Sequence, residues 1–407
     1  MAFNRAVVVA ASATAVHHAL CRRDSELILT YNGSASAALI ARIPSLASYT
    51  PPIYWSGAGL TQTIFTGLLD GMYGLLGVEG GVWRREQLDM PALNRRDGMQ
   101  CCPLHVPPGV VSFDWYEGNA DHAVETDDEA GPIVVIVPGL TSDRGSGYVQ
   151  RIAAALRPRY RVAVFTPRSR GGNAVSTPFL YSAGYTGDLE RALAVLRNSS
   201  NGAPIYGIGF SLGANVLAKL VGEQGAASVL AGALCFACPI DCAAMSRHLC
   251  CSLRGRILDP ALVAAVQVVR AEHEAVLALN PAIDLERAKA ARTMRDFDDA
   301  AIAPMMGEAS AEAYYAHASA APHLAQIRIP VLFVHAADDP ITPGPLMPLD
   351  AFRRVGSTIV HAMTAEGGHS MDWWSGIFGF GSWSSSVAAE WIEACEEQRR
   401  SGGRSKL

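Results

Sequence analysis

Apolar, mostly β-branched runs recur through the last two thirds of the chain, at 133–137, 161–165, 205–210, 229–236, 331–335 and 358–363. They lack polar alternation, as expected of strands buried on both faces. Helical stretches at 149–156 and 187–196 lie between them. Alternating strand and helix predicts an α/β fold with a mostly parallel, doubly wound sheet. Upstream, "GVVSFDWY" (109–116) reads as an early strand and 118–131, polar and acidic, as a loop. The alternation breaks once. From about 241 to 322 no convincing strand occurs, and "PALVAAVQVVRAEHEAVLAL", "DLERAKAARTMRDF" and "SAEAYYAHAS" read as helices. Such an insertion is expected to form a helical cap over one edge of the sheet, above a ligand pocket at the strand C-termini. The chain divides into an N-terminal extension (1–48), an α/β domain with its cap (49–400) and a tail (401–407).

With 407 residues, 50% hydrophobic and 17% charged, the chain can bury a large core. The net charge of −5 and the lack of a basic block argue against nucleic acid as a partner. Nine cysteines, an odd number, fit no complete disulfide framework and suit a reducing compartment. Cys235, Cys238 and Cys242, with Cys250 and Cys251 nearby, show no clean metal-ligand spacing. In "VLAGALCFACPID" they read as small hydrophobes of a buried strand. No Gly-x-Gly-x-x-Gly opens a helix after the first strand and no phosphate-binding Gly-rich Lys loop is present, so nucleotide binding is unsupported. No metal and no cofactor is expected.

Two end segments carry expectations of their own. The apolar run at 6–16, "AVVVAASATAV", is shorter than the roughly 20 residues a spanning helix needs. It reads as a buried or frayed helix, with an export segment or a peripheral membrane contact as the alternative. The final Ser405-Lys406-Leu407 matches the address read by the peroxisomal import receptor, and "SGGR" before it reads as a flexible lead-in. This predicts a peroxisome- or glycosome-type organelle.

The chemistry centres on Gly209-Phe210-Ser211-Leu212-Gly213. "PIYGIGF" supplies a strand before this Gly-x-Ser-x-Gly and "LGANVLAKLVGE" a helix after it, the context of a nucleophile elbow. The plain alternative is a tightly packed Gly-rich turn. In an elbow the serine hydroxyl stands above the sheet, and the N–H of Leu212 faces the position of a developing oxyanion. A serine nucleophile needs a base and an orienting acid, which in this fold follow in the order acid, then His. "PVLFVHAADDPITP" ends a strand with Asp338 and Asp339, and "AMTAEGGHSM" places His369 after another. Asp339, directly before Pro340 as the acid commonly is in related loops, is preferred, and Asp338 reads as a loop hydrogen-bonder. His335 reads as a core residue, and His17, His18, His248 and His317 as surface or cap residues. A second oxyanion donor is expected from "VPGLTSDRGSGYV", with the N–H of Leu140 as the candidate. Trp373, Trp374, Phe378, Phe380 and Trp383 either line an acyl pocket or lipid surface or pack under the C-terminal helix.

Together these residues resemble one branch of the α/β-hydrolase superfamily. It includes mammalian α/β-hydrolase-domain proteins acting on phospholipids and acylglycerols, plant embryogenesis-associated proteins and yeast medium-chain ester synthases. The resemblance runs from about 49 to 395. It is carried by "YTPPIYWSGAGLTQTI", "WRREQL", "VSFDW", "VPGLTSDRGSGYV", "FTPRSRGGNAVSTPFLYSAGYTGDL", "IGFSLGANVLAKLVGEQG", "FDD", "AEAYYAHAS" and "IRIPVLFVHAADDP". This chain departs from the branch at Thr166 and Ser169, where Asn and Gly are usual, and at Ser370-Met371, where Leu-Gly is common. The resemblance implies an α/β-hydrolase fold and hydrolysis of lipid carboxylic esters, with medium-length acyl chains. Two other readings share the same residues: an acyltransferase in which an alcohol resolves the acyl-enzyme, and a catalytically silent binding protein on this fold. Epoxide and haloalkane hydrolysis are disfavoured, because those chemistries place a carboxylate at the elbow.

Overall fold

The computed structural model describes residues 25–52, 59–76, 81–94, 105–119, 122–123, 131–356, 358–370, 372–375 and 381–404. Segment 6–16, His17, His18, Phe378, Phe380 and Ser405–Leu407 lie outside the described residues. Among the described residues no helix is long and apolar enough to cross a membrane.

The sheet follows from the apolar runs. Its strands are β1 (Ile28–Tyr31), β2 (Val82–Met90), β3 (Gly109–Asn119), β4 (Ile133–Val137), β5 (Arg161–Thr166), β6 (Ile205–Phe210), β7 (Leu230–Phe236), β8 (Val331–Ala336) and β9 (Ile359–Thr364). Their spatial order is β1-β9-β8-β7-β6-β4-β5-β3-β2, with the short strand His122–Ala123 beside β3. β4 to β9 pair in parallel, while β1, β2 and β3 pair antiparallel at the two edges. Every residue of β4, β6, β8 and β9 is buried, which explains why these runs showed no alternation. One core lies on each face of the sheet.

Helices α1 (Gly33–Ile40), α2 (Gly59–Leu76), α3 (Gly147–Leu156), α4 (Gly187–Ser199) and α5 (Leu212–Gln224) precede the helical segment. Between β7 and β8 every element is helical, including α6 (Cys242–Cys251), α7 (Leu253–Glu272) and α8 (Ala311–Ala318). These enclose a third apolar cluster with Phe179, Leu180 and Tyr185 from the body of the fold. The last helix, α9, spans Trp383–Arg404.

Three expectations change. The boundary at 48/49 does not separate an extension from the domain, because β1 zips onto β9 and extends the main sheet. The helix expected to open at Pro260 begins at Leu253, where the Ser252 hydroxyl accepts from the N–H of Gly255 at 2.9 Å; Pro260 sits inside it. Residues 401–404, read as a flexible lead-in, continue α9. Extending a helix already formed adds a hydrogen bond per residue, which offsets the roughly 1 kcal/mol helix penalty of glycine. Of the aromatics near the C-terminus, Trp373 and Trp383 pack in the core, with ring centroids 6.4 Å apart.

A buried carboxylate ties the antiparallel edge to the loops above it. Asp114 on β3 accepts from Arg85 of β2 at 2.7 and 2.9 Å, from Arg144 at 2.9 Å and from the Thr166 hydroxyl at 2.6 Å. This gives Thr166, one departure from the family pattern, a definite partner. Replacing Asp114 by Asn leaves two guanidiniums without their counter-charge. Breaking such a buried network costs about 3–5 kcal/mol. Urea denaturation of Asp114→Asn should show a loss of that order, and an unchanged midpoint would contradict the role.

Candidate active site

The join between β6 and α5 is forced by close packing. Ser211 sits at φ 48° and ψ −118°, a backbone state that a residue with a side chain rarely adopts. A Cβ at position 209 would lie 2.5 Å from the Cα of Ala214, and one at 213 would lie 2.3 Å from the carbonyl oxygens of Val137 and Pro138. Only glycine fits at either place. The Ser211 N–H donates to the carbonyl of Phe236 at 2.9 Å, and the Ser211 carbonyl accepts from Asn215 at 3.1 Å. These bonds hold the strained residue on both sides.

The structure brings the serine, the histidine and one aspartate together. Ser211 Oγ and His369 Nε2 are 2.8 Å apart, and His369 Nδ1 and Asp339 Oδ2 are 2.8 Å apart. Asp339 follows β8 and His369 follows β9, so both reach the site from the C-terminal ends of parallel strands. Asp339 is buried and also accepts from the N–H of Ile341 at 2.7 Å, the N–H of Thr342 at 2.8 Å and the Thr342 hydroxyl at 2.7 Å. Burial alone would raise its pKa, but the His369 charge and these donors bring it below the ordinary aspartate value. Asp338 takes another part. Its carboxylate accepts from the N–H of Gly368 at 2.9 Å, and burial raises its pKa.

Leu140 and Leu212 flank the serine. Both line the same cavity as Ser211, and neither amide N–H has an acceptor among the described residues. The N–H of Leu212 is free because it opens α5, where the first amides have no intrahelical partner. The Leu140 loop is anchored nearby, since the N–H of Gly139 donates to the Tyr148 hydroxyl at 3.0 Å.

The cavity holds about 540 Å³. Ser211 and His369 lie in its wall, along with Leu180, Leu249, Leu262 and Val266. This volume and lining suit an apolar chain of moderate length. Asp298 also lines it, on a π-helical turn spanning Asp298–Ile302. The Tyr315 hydroxyl donates to Asp298 at 2.7 Å, yet burial pushes that carboxyl up to about 7.

His335, His248, His317 and the buried cysteines take no part in the Ser211–His369–Asp339 hydrogen bonds. His335 Nε2 meets the carbonyl of Cys238 at 2.9 Å inside the sheet, and burial lowers its pKa to about 4. His248 Nε2 lies 3.2 Å from the carbonyl of Pro340, and His317 pairs with Glu308 at the surface. Cys235, Cys238 and Cys242 are buried free thiols, with burial pushing Cys242 up to about 12.

Sequence reasoning missed one supporting residue. The Thr63 hydroxyl, on α2, accepts from the backbone N–H of His369 at 2.8 Å and donates to the carbonyl of Gly59 at 2.6 Å. Thr63 stands in the quoted "SGAGLTQTI", but its partner lies 306 residues away, so the role was not visible locally.

A strand–elbow–helix serine bonded to a histidine, itself bonded to a buried aspartate, defines the class of α/β proteins equipped for nucleophilic attack. The chain belongs to the alpha/beta hydrolase family, whose model matches residues 134–374. It is similar to a monoacylglycerol lipase of Saccharomyces cerevisiae, at 32% identity over 248 residues, covering 60% of this chain and 55% of that one. It is also similar to phospholipase ABHD3 of Mus musculus, at 28% identity over 262 residues, covering 64% and 63%. A third relative, embryogenesis-associated protein EMB8 of Picea glauca, is 27% identical over 306 residues, covering 72% and 65%. The chain thus spans less than two thirds of the length of each of these relatives.

If Thr63 orients His369, Thr63→Val should lower ester turnover, because the His369 N–H loses its acceptor at about 1–3 kcal/mol. Thr63→Ser should restore it. Equal turnover by the two variants, at equal melting temperature, would remove Thr63 from the site.

Proposed function

We propose that the protein hydrolyses carboxylic esters of lipid or medium-chain acyl substrates through an acyl-enzyme on Ser211. The observation that carries this reading is the continuous chain of short hydrogen bonds, 2.8 Å from Ser211 to His369 and 2.8 Å from His369 to Asp339, with Ser211 and His369 in the wall of a largely apolar cavity. The relatives named a monoacylglycerol lipase and a phospholipase support the substrate class.

The steps follow from the geometry. With Nδ1–H donating to Asp339, His369 presents a bare Nε2 to the serine hydroxyl. Ser211 Oγ attacks the ester carbonyl as His369 takes its proton. The resulting oxyanion is met by the amide N–H groups of Leu140 and Leu212. His369 then protonates the departing alcohol and leaves an acyl-serine. Water, deprotonated by the same imidazole, attacks the acyl-serine, and the acid departs as Ser211 regains its proton. Asp339 stays ionised throughout and stabilises the imidazolium, which its depressed pKa favours. The apolar wall holds the acyl chain and no cofactor takes part.

The test is steady-state hydrolysis of monoacylglycerols and p-nitrophenyl esters of rising chain length. Ser211→Ala should abolish turnover. Asp339→Asn should lower kcat by roughly 10³–10⁴-fold, as the imidazole loses its orienting acceptor. Asp338→Asn should cost far less, because its carboxylate meets backbone amides of Gly367 and Gly368 and not the His369 imidazole. Retained turnover in Ser211→Ala, or equal losses at 338 and 339, would contradict the mechanism.

A further inference from the structure

The loop after β5 carries arginines with very different surroundings. Arg168 is buried and forms a two-pronged pair with Asp188 at 2.5 and 2.9 Å. Arg85 and Arg144, packed against the same loop region, share Asp114. Arg170 has no such partner. Its side chain lines the cavity, is half-buried, and makes no hydrogen bond or ion pair with any described residue. Asp143 and Glu272 lie within electrostatic reach, but neither comes within ion-pair distance. Burial lowers the pKa of Arg170, and those two carboxylates only partly offset this.

The position is held firmly, so the guanidinium is not there to shape its own loop. Ser169 before it sits at φ 60°, the Arg170 carbonyl accepts from Asn173 at 2.9 Å, and the Gly171 carbonyl accepts from Arg85 at 2.5 Å. A cation drawn out of water without a counter-charge is costly. Its presence in a ligand cavity is explained when the ligand supplies the charge.

A second donor lies alongside. The Tyr181 hydroxyl is buried, lines the same cavity and has no hydrogen-bond partner among the described residues. It is within electrostatic reach of both Arg170 and Tyr148. Tyr148 in turn leads back to the nucleophile. Its hydroxyl holds the N–H of Gly139, and a Cβ at 139 would lie 3.5 Å from that of Ser211. Ser211, Gly139, Tyr148, Tyr181 and Arg170 all line this one cavity. The same cavity also carries Asp298 and Asp259, whose carboxyls burial raises in pKa, and Asp372, which is already paired with Arg151.

We propose that the Arg170 guanidinium and the Tyr181 hydroxyl form a subsite for a phosphate-type oxyanion carried by the acyl ester, so that the preferred substrates are anionic lipid esters. A guanidinium fork and a phenolic O–H, presented to one cavity from two positions of the loop between β5 and α4, suit a tetrahedral oxyanion with several acceptor positions. The inference rests on the ester-hydrolase reading and deepens it by naming the head-group charge.

The experiment compares kcat/KM for a monoacylglycerol and for the acylglycerol phosphate with the same acyl chain. Wild type should favour the phosphate. In Arg170→Gln that preference ratio should fall by roughly 10–100-fold, the scale of lost charge-assisted hydrogen bonds. Tyr181→Phe should lower it less, and it keeps the subsite testable should Arg170→Gln fold poorly. A thermal-shift arm uses inorganic phosphate alone, which should raise the melting temperature of wild type but not of Arg170→Gln. An unchanged ratio in both variants overturns the proposal. So does a phosphate-induced shift without any wild-type preference for the phosphate ester, which would mark a site for the free ion. Absence of turnover on both esters, with an Arg170-dependent phosphate shift retained, would defeat the hydrolase reading and leave the oxyanion subsite standing.

Discussion

The backbone of Ser211 is the constraint on which the rest of the site depends. A non-glycine residue at φ 48° is strained, and it persists here because its N–H and carbonyl are both tied and its neighbours cannot relax. The glycines at 209 and 213 let α5 press against the ends of β4 and β6. That contact aims the hydroxyl out of the sheet. It also leaves the Leu212 amide unpaired at the first turn of α5, so a single bend prepares both a nucleophile and a hydrogen-bond donor.

The other groups converge because the central strands run parallel. Leu140, Asp339 and His369 each follow a strand whose C-terminal end opens on the same side as the elbow. Groups from outside the sheet then fix the arrangement. Thr63 reaches in from α2 to hold the backbone of His369, and Arg144 links the Leu140 loop to the buried Asp114. Around the cavity, arginines that support the fold have carboxylate partners. Arg170 has none among the described residues, and that contrast between structural and unpaired charge motivates a ligand-binding role.

What could be read from sequence was local or strongly periodic. The apolar runs marked the parallel strands because both their faces are buried, and Gly-Phe-Ser-Leu-Gly marked the elbow because its requirements lie within five residues. The edge strands were harder. β1 has only four residues, with Ile28 and Tyr31 exposed, and β2 reads "VWRREQLDM", a charge-rich run in which Arg85 meets the Asp114 network and Glu86 accepts from the Trp115 indole. Neither looks like a core strand, and residues 1–48, which carry β1, read as an extension apart from the domain that β1 completes. The choice of Asp339 over Asp338 rested on an adjacent proline, while the structure separates them by partner: the His369 imidazole for one and the Gly368 amide for the other. Thr63, Arg170 and Tyr181 carried no local signal, because their significance depends on groups that meet only after folding.

The most direct measurement is mass-spectrometric mapping of the adduct formed with a fluorophosphonate probe on the full-length protein. A single modification on the peptide carrying Ser211, lost on heat denaturation before labelling and strongly slowed in Asp339→Asn, is the result the hydrogen-bonded triad predicts. Modification at another serine, or labelling of Ser211 that persists in the unfolded chain at the native rate, would contradict it.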